Sequence, residues 1–368
     1  MRAPGFISPL TRYLAASYAL LIAYACLHPW SGWQASGLPM FDYLLAPWPR
    51  YYRVEDLVVN VLGYIPLGFV LAPALAERWG RARAVWIATL LGALLSLGVE
   101  TTQNFLPTRV ASNVDVGSNT LGAFIGAAAG ALWGRRLFAR SGWIHRWRVR
   151  RVHPGRSGDV GLVLAALWVL TQLLPDAAPF GVGDLRHLLA LPTTMAFDPD
   201  RFMRFESALV ACGLLAIGLF ARCMLLRGQG RIALPVLFLV LLGLAAKTLA
   251  SASFFVPPEP YAWLTPGTQT GLLIGLPLLI AALFLPPLAA HVLAGMTLLG
   301  TTLLSNLIPD NPYSLIEQQL LNRGNFLNFH GLTQLVTGLW PFLALAYLSA
   351  LGLWRGEHLH PERPESSD

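Results

Sequence analysis

Five side chains that can do chemistry fall between residues 100 and 119: Glu100, Gln103, Arg109, Asp115 and Asn119. Asp56 and Asn60 open an apolar run further upstream. Their spacing supports three kinds of work. In recognition, Arg109 takes an anionic head group and the amides of Asn60, Gln103 and Asn119 bond sugars or peptide. In catalysis, paired carboxylates serve as acid and base on a lipid-linked substrate, or hold a divalent cation. In a purely structural role, the carboxylates pair with Arg109 and the amides and so lock helices together. Catalysis is the least favoured, because no His, Cys or hydroxyl nucleophile with a paired base stands in the motif; Thr101, Thr102 and Ser118 are nearby without one.

The elements that must position these groups are membrane helices. The chain has 368 residues, 55% hydrophobic and 12% charged, whereas soluble domains carry about 25% charged residues. Ten apolar segments approach the length of about 20 residues that crosses a bilayer. They run over 13–27, 56–75, 84–106, 115–137, 160–174, 206–226, 232–255, 268–285, 289–307 and 332–353. The eighth and ninth are separated by Pro286-Pro287, which breaks a helix. An all-α polytopic fold of about ten transmembrane helices follows. The first segment is expected to stay as an uncleaved helix, since Ala23-Tyr24-Ala25-Cys26 is a poor processing site.

Basic residues set the orientation. With the N-terminus in the cytoplasm, 18 of the 25 arginines fall on the cytoplasmic side and seven opposite, and both termini are inside. This clustering in short loops, rather than on one surface, argues against a nucleic-acid partner despite a pI near 9.7. The topology brings Asp56 and Asn60 (i, i+4), Glu100 and Gln103 (i, i+3), and Asp115 and Asn119 (i, i+4) to similar depth beneath the outer surface, with Arg109 in the loop above. Gly122, Gly126 and Gly130 continue the Asn119 face as a close-packing seam. The expected arrangement is a polar cup over a compact bundle.

Asp56-x3-Asn60 followed by Tyr64-Ile65-Pro66-Leu67-Gly68-Phe69, then Glu100-x2-Gln103, Arg109 and Asp115-x3-Asn119-x2-Gly122-x3-Gly126, resembles the VanZ-like family of bacterial membrane proteins. The resemblance covers about residues 50 to 135. It implies an N-terminal four-helix membrane domain in a bacterial inner membrane. The family's namesake confers low-level resistance to teicoplanin, a lipid-tailed glycopeptide, so the resemblance implies an amphiphilic ligand. The six further helices are a departure from the family pattern.

The expected organisation is a VanZ-like four-helix domain at 1–140, an Arg-rich cytoplasmic linker at 141–157, a six-helix membrane region at 158–355 and a disordered tail at 356–368. Lys247 is the only lysine and falls mid-segment. A buried ammonium there is a candidate coupling group for transport, facing a carboxylate such as Glu206 or Glu100, or else a packing feature. The charged stretch 175–204 reads as a solvated loop or a lid over the cup. Ser314–Leu321 reads as an interfacial amphipathic piece. His291 and His330 lack companions at ligand spacing, so no metal or other cofactor is expected. The three cysteines read as packing residues. Membrane lipid is the expected general partner. The favoured function is binding an amphiphilic or lipid-linked cell-envelope ligand at the outer leaflet; a transporter and a structural membrane protein are the alternatives.

Overall fold

The computed structural model describes residues 10–27, 32–35, 37, 39–47, 54–107, 109–139, 142–174, 177–193, 195–226, 232–254, 259–312 and 327–357. Among them are thirteen helices and no strand. They are α1 (Leu10–Leu27), α2 (Asp42–Leu45), α3 (Val54–Trp79), α4 (Arg81–Gln103), α5 (Asn113–Phe138), α6 (Trp143–Arg151), α7 (Gly155–Thr171), α8 (Leu185–Leu188), α9 (Pro199–Met224), α10 (Ala233–Phe254), α11 (Pro266–Ala282), α12 (Pro287–Leu307) and α13 (Leu327–Glu357). All ten apolar segments read from the sequence are helical. Seven helices contain a stretch long and apolar enough to cross a membrane: α1, α3, α4, α9, α10, α12 and α13. Helices α7 and α11 have only 17 residues each, and α5 is long but carries Asn113, Asp115, Ser118, Asn119, five glycines and two arginines, residues that lower its hydropathy. The protein is an all-α, multi-pass membrane fold. Ser314–Leu321 and the tail beyond 357 lie outside the described residues.

Chain contacts divide the protein into two compact units, residues 1–150 with 325–332, and residues 151–324 with 333–368. Within the Arg-rich segment, Trp143–Arg151 form the helix α6. Just beyond it, Val152 pairs antiparallel with Leu225 at the end of α9.

The first unit is built on contact between α3 and α5. Ideal Cβ atoms placed on Gly122, Gly126 and Gly130 would lie 2.2, 2.0 and 2.4 Å from the carbonyl oxygens of Val61, Ile65 and Phe69. A fourth step sets Gly134 against the ring of Pro73, with 2.3 Å to its Cγ. Both helices therefore present every fourth residue, and backbone meets backbone without intervening side chains, the geometry in which small residues hold membrane helices together. Gly68 returns the contact, its own ideal Cβ falling 2.1 Å from the Ala123 carbonyl. Helix α4 packs on the same core through Gly92 opposite Ala123, and Ala72, Ala88, Ala123 and Ala127 are fully buried. The α3–α4 turn passes through Gly80 at φ +77°, a conformation that side-chain-bearing residues avoid. Helix α1 joins through Ile22, packed with Tyr64 and Leu67, and through the Tyr18 hydroxyl, which donates to the Gly63 carbonyl at 2.9 Å.

Gly126→Ala forces this seam apart and is expected to destabilise the first unit by about 1–3 kcal/mol. Gly117→Ala, on the same helix but with open space at its Cβ, is expected to leave stability unchanged or slightly raised. Thermal unfolding of the two variants in one detergent checks this; equal melting temperatures would remove the seam from its central role.

Candidate functional site

The seam fixes the register of α3 and α5, and the register decides which polar residues meet. Asn60 on α3 donates from Nδ2 to Oδ1 of Asp115 on α5 at 2.9 Å. Ser112 caps α5, its hydroxyl accepting from the Val114 amide at 3.2 Å. The Ser112 backbone amide in turn donates to Oε2 of Glu100 on α4 at 2.9 Å. Glu100 is buried, with 4% of its surface exposed, and Asp115 acts on it electrostatically. Gln103, one turn further along α4, donates to the Cys26 carbonyl at the end of α1 at 2.8 Å. Cys26 also lies within electrostatic reach of Glu100, Arg109 and Asp115. Arg109, in the α4–α5 loop, is half-buried, and loss of solvent pulls its guanidinium below the usual arginine range. Six of the seven residues expected to form the cup therefore stand at one end of the first unit. Asp56 belongs to the first turn of α3, and its side chain lies outside the described residues.

A second polar layer sits one helical turn inside the first. Four residues on from Asn60 is Tyr64; four back from Glu100 is Ser96; four on from Asp115 is Asn119. Asn119 Nδ2 donates to the Ser96 hydroxyl at 3.0 Å, and Tyr64 lies beside Ser96. The sequence reading included Asn119 but passed over Tyr64 and Ser96. An i±4 step inward from each outer residue finds both. Below this layer come Ala123 and Gly92 in contact.

The segment before α3 covers the same end. The Gln34 amide donates to the Phe105 carbonyl at 3.0 Å, and Tyr43 bonds the Thr101 hydroxyl at 2.9 Å. Asn113 Nδ2 reaches the Ala46 carbonyl at 2.7 Å. These contacts join residues far apart in sequence, with no periodic signal to announce them.

The second unit places its charges at helix ends. Glu206 on α9 is buried against the N-terminus of α11, where the Thr268 hydroxyl donates to Oε1 at 3.4 Å. Arg222, at the other end of α9, donates to the Ala282 carbonyl at 3.0 Å and to the Leu285 carbonyl. Lys247 on α10 is 1% exposed, and its ammonium donates to the carbonyls of Leu174 and Ala177, just past α7. Glu206, one partner expected for it, serves α11 instead.

The stretch expected as a solvated loop is only half so. Phe180 and Val182 are buried, and Phe180 stacks on Trp168. Asn306 on α12 accepts from the Leu185 and Arg186 amides at 3.1 and 2.8 Å and donates to the Gly183 carbonyl at 2.7 Å. Buried Arg186 pairs with Asp310 at 2.5 Å. His187 bridges Asp184 at 2.5 Å and Asp310 at 3.0 Å. Charge density in the sequence reads as solvation; here opposite charges consume one another and the backbone is folded in.

The hydrogen bond to Asp184 raises the His187 pKa most, against the effect of burial. Burial alone raises that of Asp310, but the hydrogen bonds and charges of Arg186 and His187 outweigh it and hold it low. His187 therefore adds stability that is complete below its unfolded pKa and lost as pH rises through its raised folded value. Asp310 adds stability that is complete above its unfolded pKa and lost as pH falls through its depressed one. The clasp is expected to be tightest between about pH 4 and 6.5. Amide hydrogen exchange at residues 183–190, corrected for its intrinsic pH dependence, should show strongest protection there and weaken above it; His187→Gln should flatten the upper limb.

Comparison with known proteins adds one finding. Neither the curated proteins nor the solved structures gave a match. The model of the VanZ/LLP1 family matches residues 14–134, from α1 to the last turns of α5, and so spans both polar layers and the glycine seam. Those residues form a VanZ/LLP1 domain, and the protein that carries it is a multi-pass membrane protein with further apolar helices beyond that domain.

Proposed function

We propose that the VanZ/LLP1 domain binds the head group of an amphiphilic ligand, of the cell-envelope or lipoglycopeptide type, at the outer leaflet of a bacterial cytoplasmic membrane. Both termini are then cytoplasmic, as the arginine asymmetry favours. The observation that carries the reading is the convergence of Glu100, Asp115, Asn60, Gln103 and Arg109 at one end of a bundle whose interior, beyond the Tyr64–Ser96–Asn119 layer, is mainly Gly, Ala and apolar side chains. Buried carboxylates in a membrane domain are costly and mark functional positions by default. Glu100 is held by a single neutral donor, the Ser112 amide, among the described residues. Its other carboxyl oxygen is thus left for a ligand's donors, and the Arg109 guanidinium stands at the same end of the bundle. The closed Gly92–Ala123 contact beneath the polar layers supports binding over passage through this domain.

A role in teicoplanin-type resistance is the finer form of this proposal. Expressed in a susceptible host, the parent protein is expected to raise the teicoplanin concentration needed to stop growth and to be retained on immobilised teicoplanin. Glu100→Gln and Asp115→Asn, inserted into the membrane at parental levels, are expected to lose retention tenfold or more. Parental retention by both variants would sink the site assignment.

A further inference from the structure

The inner layer contains polar atoms that the domain itself leaves unsatisfied. Tyr64 is 3% exposed and Asn119 is 5% exposed. Oδ1 of Asn119 has no hydrogen-bond partner among the described residues, and the Tyr64 hydroxyl interacts with Ser96 but reaches no partner in full hydrogen-bond geometry. Turning the Asn119 amide over does not help, because Ser96 engages one end of it and the other end stays unpaired. Buried polar groups in folded proteins are satisfied in the great majority of cases, by protein, ordered water or ligand. Leaving one without a partner costs the full desolvation penalty of that group. Two such atoms here flank one serine, one turn beneath a layer of charged groups.

We infer that Tyr64, Ser96 and Asn119 form an inner compartment of the site that takes a neutral hydroxyl group. The chemistry selects this class. A hydroxyl donates and accepts at once, and so can serve a phenol and an amide together. Tyr64, Ser96 and Asn119 carry no formal charge, so a phosphate or an ammonium would enter with no counter-charge in that layer, at a large desolvation cost. The hydroxyl comes either from a water molecule or from the sugar of a glycosylated lipid whose charged or polar remainder lies in the outer layer. The lipid form rests on the outer layer being a ligand site, as proposed above.

The test uses the sign of one substitution. Tyr64→Phe removes a single oxygen from the full-length protein, which is reconstituted in nanodiscs of phosphatidylethanolamine and phosphatidylglycerol, with or without monoglucosyl-diacylglycerol. Tyr18→Phe calibrates the loss of a satisfied hydroxyl, since Tyr18 donates to the Gly63 carbonyl. If water fills the compartment, Tyr64→Phe lowers the melting temperature by about 2–4 °C, to the same extent in both lipids. If the sugar fills it, the loss is clearly larger with the glucolipid present. If the compartment has no occupant, deleting an unsatisfied hydroxyl leaves the melting temperature unchanged or raises it in both, and the inference is overturned. That failure is distinct from failure of the outer site, which the Glu100→Gln and Asp115→Asn retention assay reads separately.

Discussion

The close approach of α3 and α5 is the constraint on which the first unit depends. Carbonyl oxygens of Val61, Ile65 and Phe69 occupy the space where side chains at 122, 126 and 130 would begin. Without water to drive apolar surfaces together, membrane helices associate by packing, and the gain is greatest where backbones can touch. The seam also acts as a ruler. Once Val61 is opposite Gly122, Asn60 must reach Asp115 and Tyr64 must lie near Asn119. The site is thus a consequence of the packing, with the same four-residue step repeated in the polar layers above.

Helix ends pose the complementary problem. The first amides and last carbonyls of a helix have no partners within it, and inside a membrane no water replaces them. The second unit answers with charges carried on neighbouring helices. Glu206 meets the N-terminus of α11 and Arg222 its C-terminal carbonyls, so α9 presents each sign to the end of the α11 dipole that attracts it. Lys247 donates to carbonyls of the irregular chain beyond α7.

The segment between α7 and α9 shows how composition misleads. Asp184, Arg186, His187 and Asp310 are each hydrophilic, yet together they form a partly buried network anchored by Asn306. Its partners come from beyond position 300, more than a hundred residues away, and no local pattern encodes that. The covering segment 32–47 of the first unit is the same case, held by contacts to Thr101, Phe105 and Asn113.

By itself the sequence determined the helical, membrane-embedded character of the chain, the approximate position of each long helix, the depth-matched polar residues and the glycine face. All of these rest on periodicity or on transfer energy, which are local. The tertiary structure decided which polar groups pair, that Glu100 is held by a backbone amide rather than a side chain, and that a second layer of Tyr64, Ser96 and Asn119 lies beneath the first. Those depend on the angle and register at which helices far apart in sequence meet, and a backbone contact of that kind is set by the whole packed bundle.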